Sequence, residues 1–242
     1  TAEIIEGIFS NNIAIVSKAI TIIESTKPEH RSIANKIIEG CISKNHDTIR
    51  IGITGVPGAG KSTFIEQFGN LLTGLGKKVA VLTVDPSSSR TKGSILGDKT
   101  RMQELVKNPN AYIRPSASGS SLGGVTRKTR ESIVILEAAG FDIILIETIG
   151  VGQSETAVHD MVDFFLLLKL AGAGDELQGI KRGIIEMADS IVINKSDGNN
   201  VQNAAQAKME FARALHMFPP KENGWSPEVL TCSALENRGL EE

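Results

Sequence analysis

Cysteine is scarce: Cys41 and Cys232 are the only two among 242 residues. They stand far apart and belong to no CxxC pair or Cys/His cluster. Both read as reduced, mostly structural thiols of a cytosol-like compartment. The four histidines, His30, His46, His159 and His216, are scattered too, without metal-ligand spacing. An excess of charge of one sign is also missing. The formal net charge of -2 gives no reason to expect a nucleic-acid partner. No apolar run approaches the ~18–20 residues of a membrane span. The longest, Phe164 to Leu168, is cut by Lys169. No membrane partner is expected, and no signal peptide is visible at the start. The expected location is the cytoplasm, or the mitochondrial matrix if a eukaryotic targeting segment has been removed ahead of Thr1. Repeats and low-complexity tracts are lacking.

What is present is ordinary globular composition, 40% hydrophobic and 22% charged. The length suits one substantial α/β domain with a small helical extension. Residues 1–46 carry the extension. Ile4, Ile5 and Ile8 fall at helical spacing, as do Ile13, Val16, Ala19, Ile20 and Ile23. Lys27-Pro28 breaks the pattern, and a third helix is expected from Glu29 to Ser43. From Thr48 the rhythm changes. Strands are expected at Ile49–Thr54, Val79–Val84, Ala111–Arg114, Ile143–Ile146, Asp163–Leu168, Ile191–Ile193 and Glu228–Cys232. Helices are expected at Lys61–Leu75, Gly97–Val106, Gly123–Ala139 and Val201–Met217. Strands alternating with helices mean βαβ units. The fold class is therefore α/β with a mainly parallel central sheet, over residues 47–242.

The segment GVPGAGKS, Gly55 to Ser62, fits G-x-x-x-x-G-K-[ST]. It follows an expected strand and opens an expected helix, the context in which the pattern means a P-loop. Glycines let the backbone wrap around phosphate oxygens, and the helix N-terminus faces the anion. Gly55, Pro57, Gly58, Ala59, Gly60, Lys61, Ser62 and Thr63 form the candidate cradle. Lys61 reaches the β- and γ-phosphates, and the Ser62 hydroxyl ligates Mg²⁺. The fold is then a three-layer P-loop NTPase.

Such a site needs a second carboxylate from a neighbouring strand tip. Glu147, in DIILIETIG, is placed for it. Gly150 follows where a backbone N–H can meet the γ-phosphate, and hydrolysis removes that phosphate. Asp85, closing the strand Val79–Val84, is a further candidate for the metal sphere. After Ile191–Ile193 comes Asn194-Lys195-Ser196-Asp197. A carboxylate that accepts from guanine N1–H and N2–H₂ selects guanine, because adenine offers no such donor pair. Asp197 is that acid. The Lys195 stem can cover the base plane, and Asn194 can tie this loop to the P-loop. Ser233, Ala234 and Leu235 suit a loop whose N–H meets guanine O6. The bound nucleotide is read as GTP or GDP.

With DPSSSRTKGSILGDKTRM (Asp85 to Met102), ETIGVGQSE and NKSD together, the chain resembles the methylmalonyl-CoA mutase-associated GTPases. That family is also known as the LAO/AO transport-system ATPases or ArgK-type kinases. The resemblance covers nearly the whole chain. It implies a G-protein chaperone that gates cobalamin delivery to an adenosylcobalamin-dependent acyl-CoA mutase and protects or reactivates it. It implies a homodimer, held partly by a C-terminal helical arm that would lie beyond this sequence. It marks Asp85–Met102 as a first switch, with Asp98 able to move to the metal. The same residue type also suits a helix N-cap. It marks LAGAGDELQGIKRG, Leu170 to Gly183, as a further switch in which Lys181 neutralises charge between the phosphates. Lys169 and Arg182 are near alternatives, and Gln153 could orient water. In SASGSSLGGVTRKTR, the basic residues Arg127, Lys128 and Arg130 read by default as a solvated face. Other readings are an ATP-dependent transport kinase, which NKSD opposes, and a nickel-insertion GTPase, which usually carries a Cys/His cluster.

Overall fold

The apolar run after Thr48 folds as β1 (Ile49–Gly55), in the middle of a parallel sheet. The structure is a computed structural model that describes residues 1–44, 46–84, 102–115, 122–148, 154–171, 182–221 and 223–241. The other strands are β2 (Val79–Val84), β3 (Ala111–Arg114), β4 (Ile143–Thr148), β5 (Phe164–Leu170), β6 (Ser190–Asn194) and β7 (Glu228–Thr231). Their order is β3-β2-β4-β1-β5-β6-β7, and every pairing is parallel. Strands covered on both faces need continuous apolar sequence, and β2, β4 and β6 are buried at every position.

The helices are α1 (Ala2–Phe9), α2 (Ile13–Glu24), α3 (Pro28–Ile42), α4 (Lys61–Gly74), α5 (Leu122–Ala138), α6 (Ser154–His159), α7 (Arg182–Met187) and α8 (Val201–Leu215). Helix α4 covers one face of the sheet, where Phe64 and Ile65 meet Ile53, Val81, Leu145 and Leu168. On the other face α5 joins Leu82, Ile144 and Phe165. Helices α1–α3 add Ile8, Val16, Ile20, Ile23 and Ile37 to that same core. Each such side chain contributes roughly 1.5–3 kcal/mol by leaving water. Asn12 caps α2, its side chain accepting from Ala14 N at 3.1 Å and Ile15 N at 3.3 Å. Pro28 opens α3. The α2 surface is also tied to the β3 edge. Ser17 Oγ donates to Tyr112 Oη at 3.3 Å, and Arg114 pairs with Glu24.

Three differences from sequence expectation stand out. The described part of the helix expected at Gly97–Val106 is not α-helical: residues 102–104 form a bend and turn, and Leu105–Lys107 is a short 3-10 helix. Leu105 is anchored there against Gly69 of α4, where a Cβ would lie 2.6 Å from Leu105 Cδ2. The strand expected at Ile143–Ile146 continues through Glu147 and Thr148, because Glu147 pairs with Ile53 of β1 and Thr83 of β2, and Thr148 with Val84 of β2. Helices α6 and α7, six residues each, are absent from the sequence expectation. They are too short for periodicity to register.

Among the described residues, no helix is long and apolar enough to cross a membrane.

Candidate functional site

Strand β1 delivers the P-loop at its C-terminal end, between β4 and β5. Open α/β sheets bind ligands beyond the carboxyl ends of their strands. Two glycines there are required by geometry. Gly55 has φ +151, and a Cβ on it would lie 2.3 Å from Leu168 O of β5. Gly60 has φ +87 and serves as the left-handed N-cap of α4. A Cβ there would come 2.6 Å from Asn194 Nδ2. The first intrahelical bond runs from Phe64 N to Gly60 O at 2.9 Å. The N–H groups of Ser62 and Thr63 precede it and so lack an intrahelical acceptor, as an anion site at a helix N-terminus requires. Lys61 is buried, and its Nζ donates to Gly55 O at 2.7 Å and Val56 O at 3.4 Å. The ammonium is thereby held against the loop backbone. Pro57 and Gly58 form the loop's outer turn, while Ala59 is fully buried.

Glu147 stands beside Ile53 in register, next to the P-loop strand. It is only 4% exposed, so it is not a strand-end acid pointing to solvent. Ser62 Oγ donates to Glu147 Oε1 at 3.3 Å. Among the described residues no three of His, Cys, Asp and Glu gather. The candidate cation site thus offers one hydroxyl and one carboxylate, both hard oxygen donors. That set fits Mg²⁺, which takes its remaining ligands from phosphates and water. On the opposite face, Thr148 Oγ1 donates to Thr54 Oγ1 at 2.8 Å, both residues buried. This pair locks β4 to β1 just behind the loop, and nothing in either residue's local sequence hints at it.

The segment after β6 is joined to the P-loop through Asn194, which is 1% exposed. Its Nδ2 donates to Ala59 O at 2.9 Å. Its Oδ1 accepts from Ala234 N at 3.1 Å and from Cys232 Sγ at 3.3 Å. Burial pushes the Cys232 thiol up to about 12; the Ala234 N–H works against that rise and the Asp197 carboxylate adds to it. Cys232 is therefore a neutral donor at physiological pH, a use that its isolation in the sequence concealed. Asp197 is half-buried, and its Oδ2 accepts from Ser233 Oγ at 2.5 Å. Ser233 and Ala234 are buried, whereas Leu235 is 79% exposed. Lys195 is exposed at φ +59, its carbonyl fixed by Asn200 Nδ2 at 2.8 Å. A 233–238 turn follows β7, with Ser233 N bonded to Arg238 O at 2.9 Å.

The structure thus brings together Lys61, Ser62, Glu147, Asn194, Asp197, Ser233 and Ala234. Asp85, Asp98, Gly150, Gln153 and Lys181 lie outside the described residues. Lys169 is wholly buried in β5, its Nζ 5.5 Å from the Phe211 ring centre, which places it in the core. Arg127 and Arg130 are exposed, as a solvated face requires, and donate to Glu131 and to the Asp160 carbonyl; Lys128 is half-buried and donates to the Ile23 carbonyl. A groove of about 1320 Å³ lies at the other end of the sheet, lined by Asp163, Asp189 and Glu228 near the starts of β5, β6 and β7. None of the motif residues lines it.

The model of the family "Methylmalonyl Co-A mutase-associated GTPase MeaB" matches residues 16–242. The chain belongs to this family. As a member of it, the chain is a GTPase and binds guanine nucleotide. A probable GTPase of Mycobacterium bovis is 57% identical over 229 residues, which are 95% of this chain and 68% of that protein. The mouse protein "Methylmalonic aciduria type A homolog, mitochondrial" is 49% identical over 246 residues, 98% of this chain and 59% of that protein. A crystal structure of an LAO/AO transport system kinase superposes with a TM-score of 0.85 at 42% identity. It covers 99% of this chain and 71% of that one. The P-loop NTPase fold expected of the sequence is the fold observed.

In this MeaB-family GTPase, Asn194 bridges the Ala59 loop and the turn at Ala234 with a single side chain. Replacing it by alanine strands the Ala59 carbonyl and the Ala234 N–H in a buried setting. Each such loss costs about 1–3 kcal/mol. Asn194→Ala is expected to lower stability by about 3 kcal/mol, read as an earlier midpoint in urea unfolding.

Proposed function

We propose that this GTPase is a Mg²⁺-dependent G-protein chaperone of an adenosylcobalamin-dependent acyl-CoA mutase. GTP hydrolysis gates loading of the mutase's cofactor and protects or reactivates the mutase. The observation that carries the chemistry is the hydrogen bond of Ser62 to Glu147 beside the Lys61 loop. The mutase partnership is supported by the family match over residues 16–242. In this scheme residues 1–46 are a helical extension on a GTP-binding domain of residues 47–242, located in the cytoplasm or mitochondrial matrix, and the full-length protein is a homodimer.

The residues divide the work. Gly55, Gly58, Ala59, Gly60 and Thr63 cradle the phosphates with backbone groups, and Pro57, which has no N–H, shapes the turn of that loop. Lys61 holds positive charge against the β- and γ-oxygens. Ser62 and Glu147, joined by Asp85 and Asp98, hold the cation. Bound Mg²⁺ neutralises charge developing on the transferred phosphoryl group. The Gly150 N–H reads the γ-phosphate. Asp197 accepts from the guanine edge, Lys195 covers the base, and the 233–235 turn meets O6. Lys181 supplies the late positive charge when the mutase is engaged. Without the partner, turnover is slow, as in unassisted GTPases.

The transport-kinase alternative needs ATP and a phosphoacceptor. The segment Asn194-Lys195-Ser196-Asp197 supports guanine instead, with Asp197 as the acid for its edge. For the nickel-insertion alternative, no metal-ligating cluster gathers among the described residues.

The test is GTP hydrolysis by the full-length protein with Mg²⁺, alone and with an adenosylcobalamin-dependent acyl-CoA mutase. The mutase is expected to accelerate hydrolysis, and Lys181→Ala to abolish that gain; a cationic finger is worth about 10³–10⁵-fold. A mutase without effect removes the partnership. A preference for ATP removes the guanine pocket and restores the kinase alternative.

A further inference from the structure

Thr83 is the one polar residue of β2, between Leu82 and Val84. It pairs in register with Glu147 of β4. Register partners of parallel strands project to the same face, on strands about 4.8 Å apart. That face carries Val79, Val81 and Leu145, and α4 lies over it. The first turn of α4 brings Ser62 to Glu147. Thr83 is 4% exposed, and its Oγ1 is buried without a hydrogen-bond partner among the described residues.

An unpaired buried hydroxyl is a cost that the neighbouring chemistry ought to explain. Packing does not explain it, since valine has nearly the same shape and β2 uses valine at three other positions. The other buried threonines at this end, Thr54 and Thr148, satisfy each other on the opposite face. Thr83 is left unpaired among the described residues, in register with the acid of the candidate cation site.

We propose that Thr83 is a positioning residue for the divalent cation. Its hydroxyl binds a water of the Mg²⁺ shell on the Glu147 side, fixing carboxylate and water in the octahedral arrangement that Mg²⁺ demands. The assignment rests on Ser62 and Glu147 being the cation site. Outer partners of this kind set metal affinity within about 10–100-fold.

The test compares wild type, Thr83→Val and Thr83→Ser in the full-length protein. Release of a fluorescent GDP analogue is followed against Mg²⁺ concentration, and Mn²⁺ binding to the GDP complex is titrated by electron paramagnetic resonance. Thr83→Val is expected to need about tenfold more Mg²⁺ to slow release, with weaker Mn²⁺ binding to match. Thr83→Ser keeps the hydroxyl and is expected to stay near wild type. Without Mg²⁺, Thr83→Val is expected to melt no lower than wild type, since it removes an unpaired buried hydroxyl. If Thr83→Val titrates as wild type does, or Thr83→Ser is equally impaired, the role of Thr83 falls while the cation site stands. If wild type itself shows no Mg²⁺ effect on GDP release, the cation site falls and Thr83 with it.

Discussion

Lys61→Ala is expected to lower GTP turnover by about 10³-fold and to leave the fold in place. The loss follows from what the ammonium does. Lys61 is buried and pinned against the Gly55 and Val56 carbonyls, so its charge is aimed into the loop before any phosphate arrives. A preorganised donor of this kind is worth about 10²–10³ in rate when removed. Weaker binding of the bridging oxygens adds to that in the ground state. The loop survives because other ties hold it: Asn194 Nδ2 to Ala59 O, and the left-handed Gly60 at the head of α4. Two measurements separate the contributions. Turnover at saturating GTP reads the chemical step. Thermal melting with and without GDP and Mg²⁺ reads binding, since a ligand stabilises by its concentration relative to Kd. The wild type should gain several degrees with GDP and the variant almost none. A variant that hydrolyses GTP at the wild-type rate would remove Lys61 from the site.

Why the sequence showed some of this and hid the rest is a matter of range. The P-loop is local: eight consecutive residues specify turn, charge and helix start, and their chemistry constrains every position. The segment that carries Asp197 is local too, four residues at a strand end. The alternation of strands and helices revealed a parallel sheet. It could not reveal that β1 lies between β4 and β5, because sheet order depends on pairings between residues far apart in the chain. Register carried the remaining information. Whether Glu147 faces α4 or water is decided by the pairing Ile53↔Glu147 and by Ser62 above it. The bond between Thr54 and Thr148 exists only because those residues share the other face. Cys232 looked inert in the sequence, yet its thiol helps orient Asn194. Helices α6 and α7 flank stretches rich in glycine, and at six residues they give no helical period to read.

Asp197→Asn is expected to weaken GTP binding by about 10²–10⁴-fold, with little change for ATP. Guanine presents two donors, N1–H and N2–H₂, to a carboxylate that accepts both. Each hydrogen bond to a charged acceptor contributes about 1.5–3 kcal/mol, and about 1.4 kcal/mol is one decade in affinity. Asparagine has the same size and keeps an oxygen for Ser233 Oγ, which now holds Asp197 Oδ2 at 2.5 Å. Its amide nitrogen then faces the base, donor against donor, and the preference for guanine disappears. The same amide suits xanthine, where a carbonyl replaces the amino group at C2. Xanthosine triphosphate is therefore expected to bind Asp197→Asn better than it binds the wild type. Competition of GTP, ATP and xanthosine triphosphate against a fluorescent nucleotide measures all three at once. Reversal of the GTP and xanthosine triphosphate order assigns base selection to Asp197. If GTP affinity is unchanged, the carboxylate is not at the guanine edge, and the Ser233–Asp197 bond is a structural tie alone.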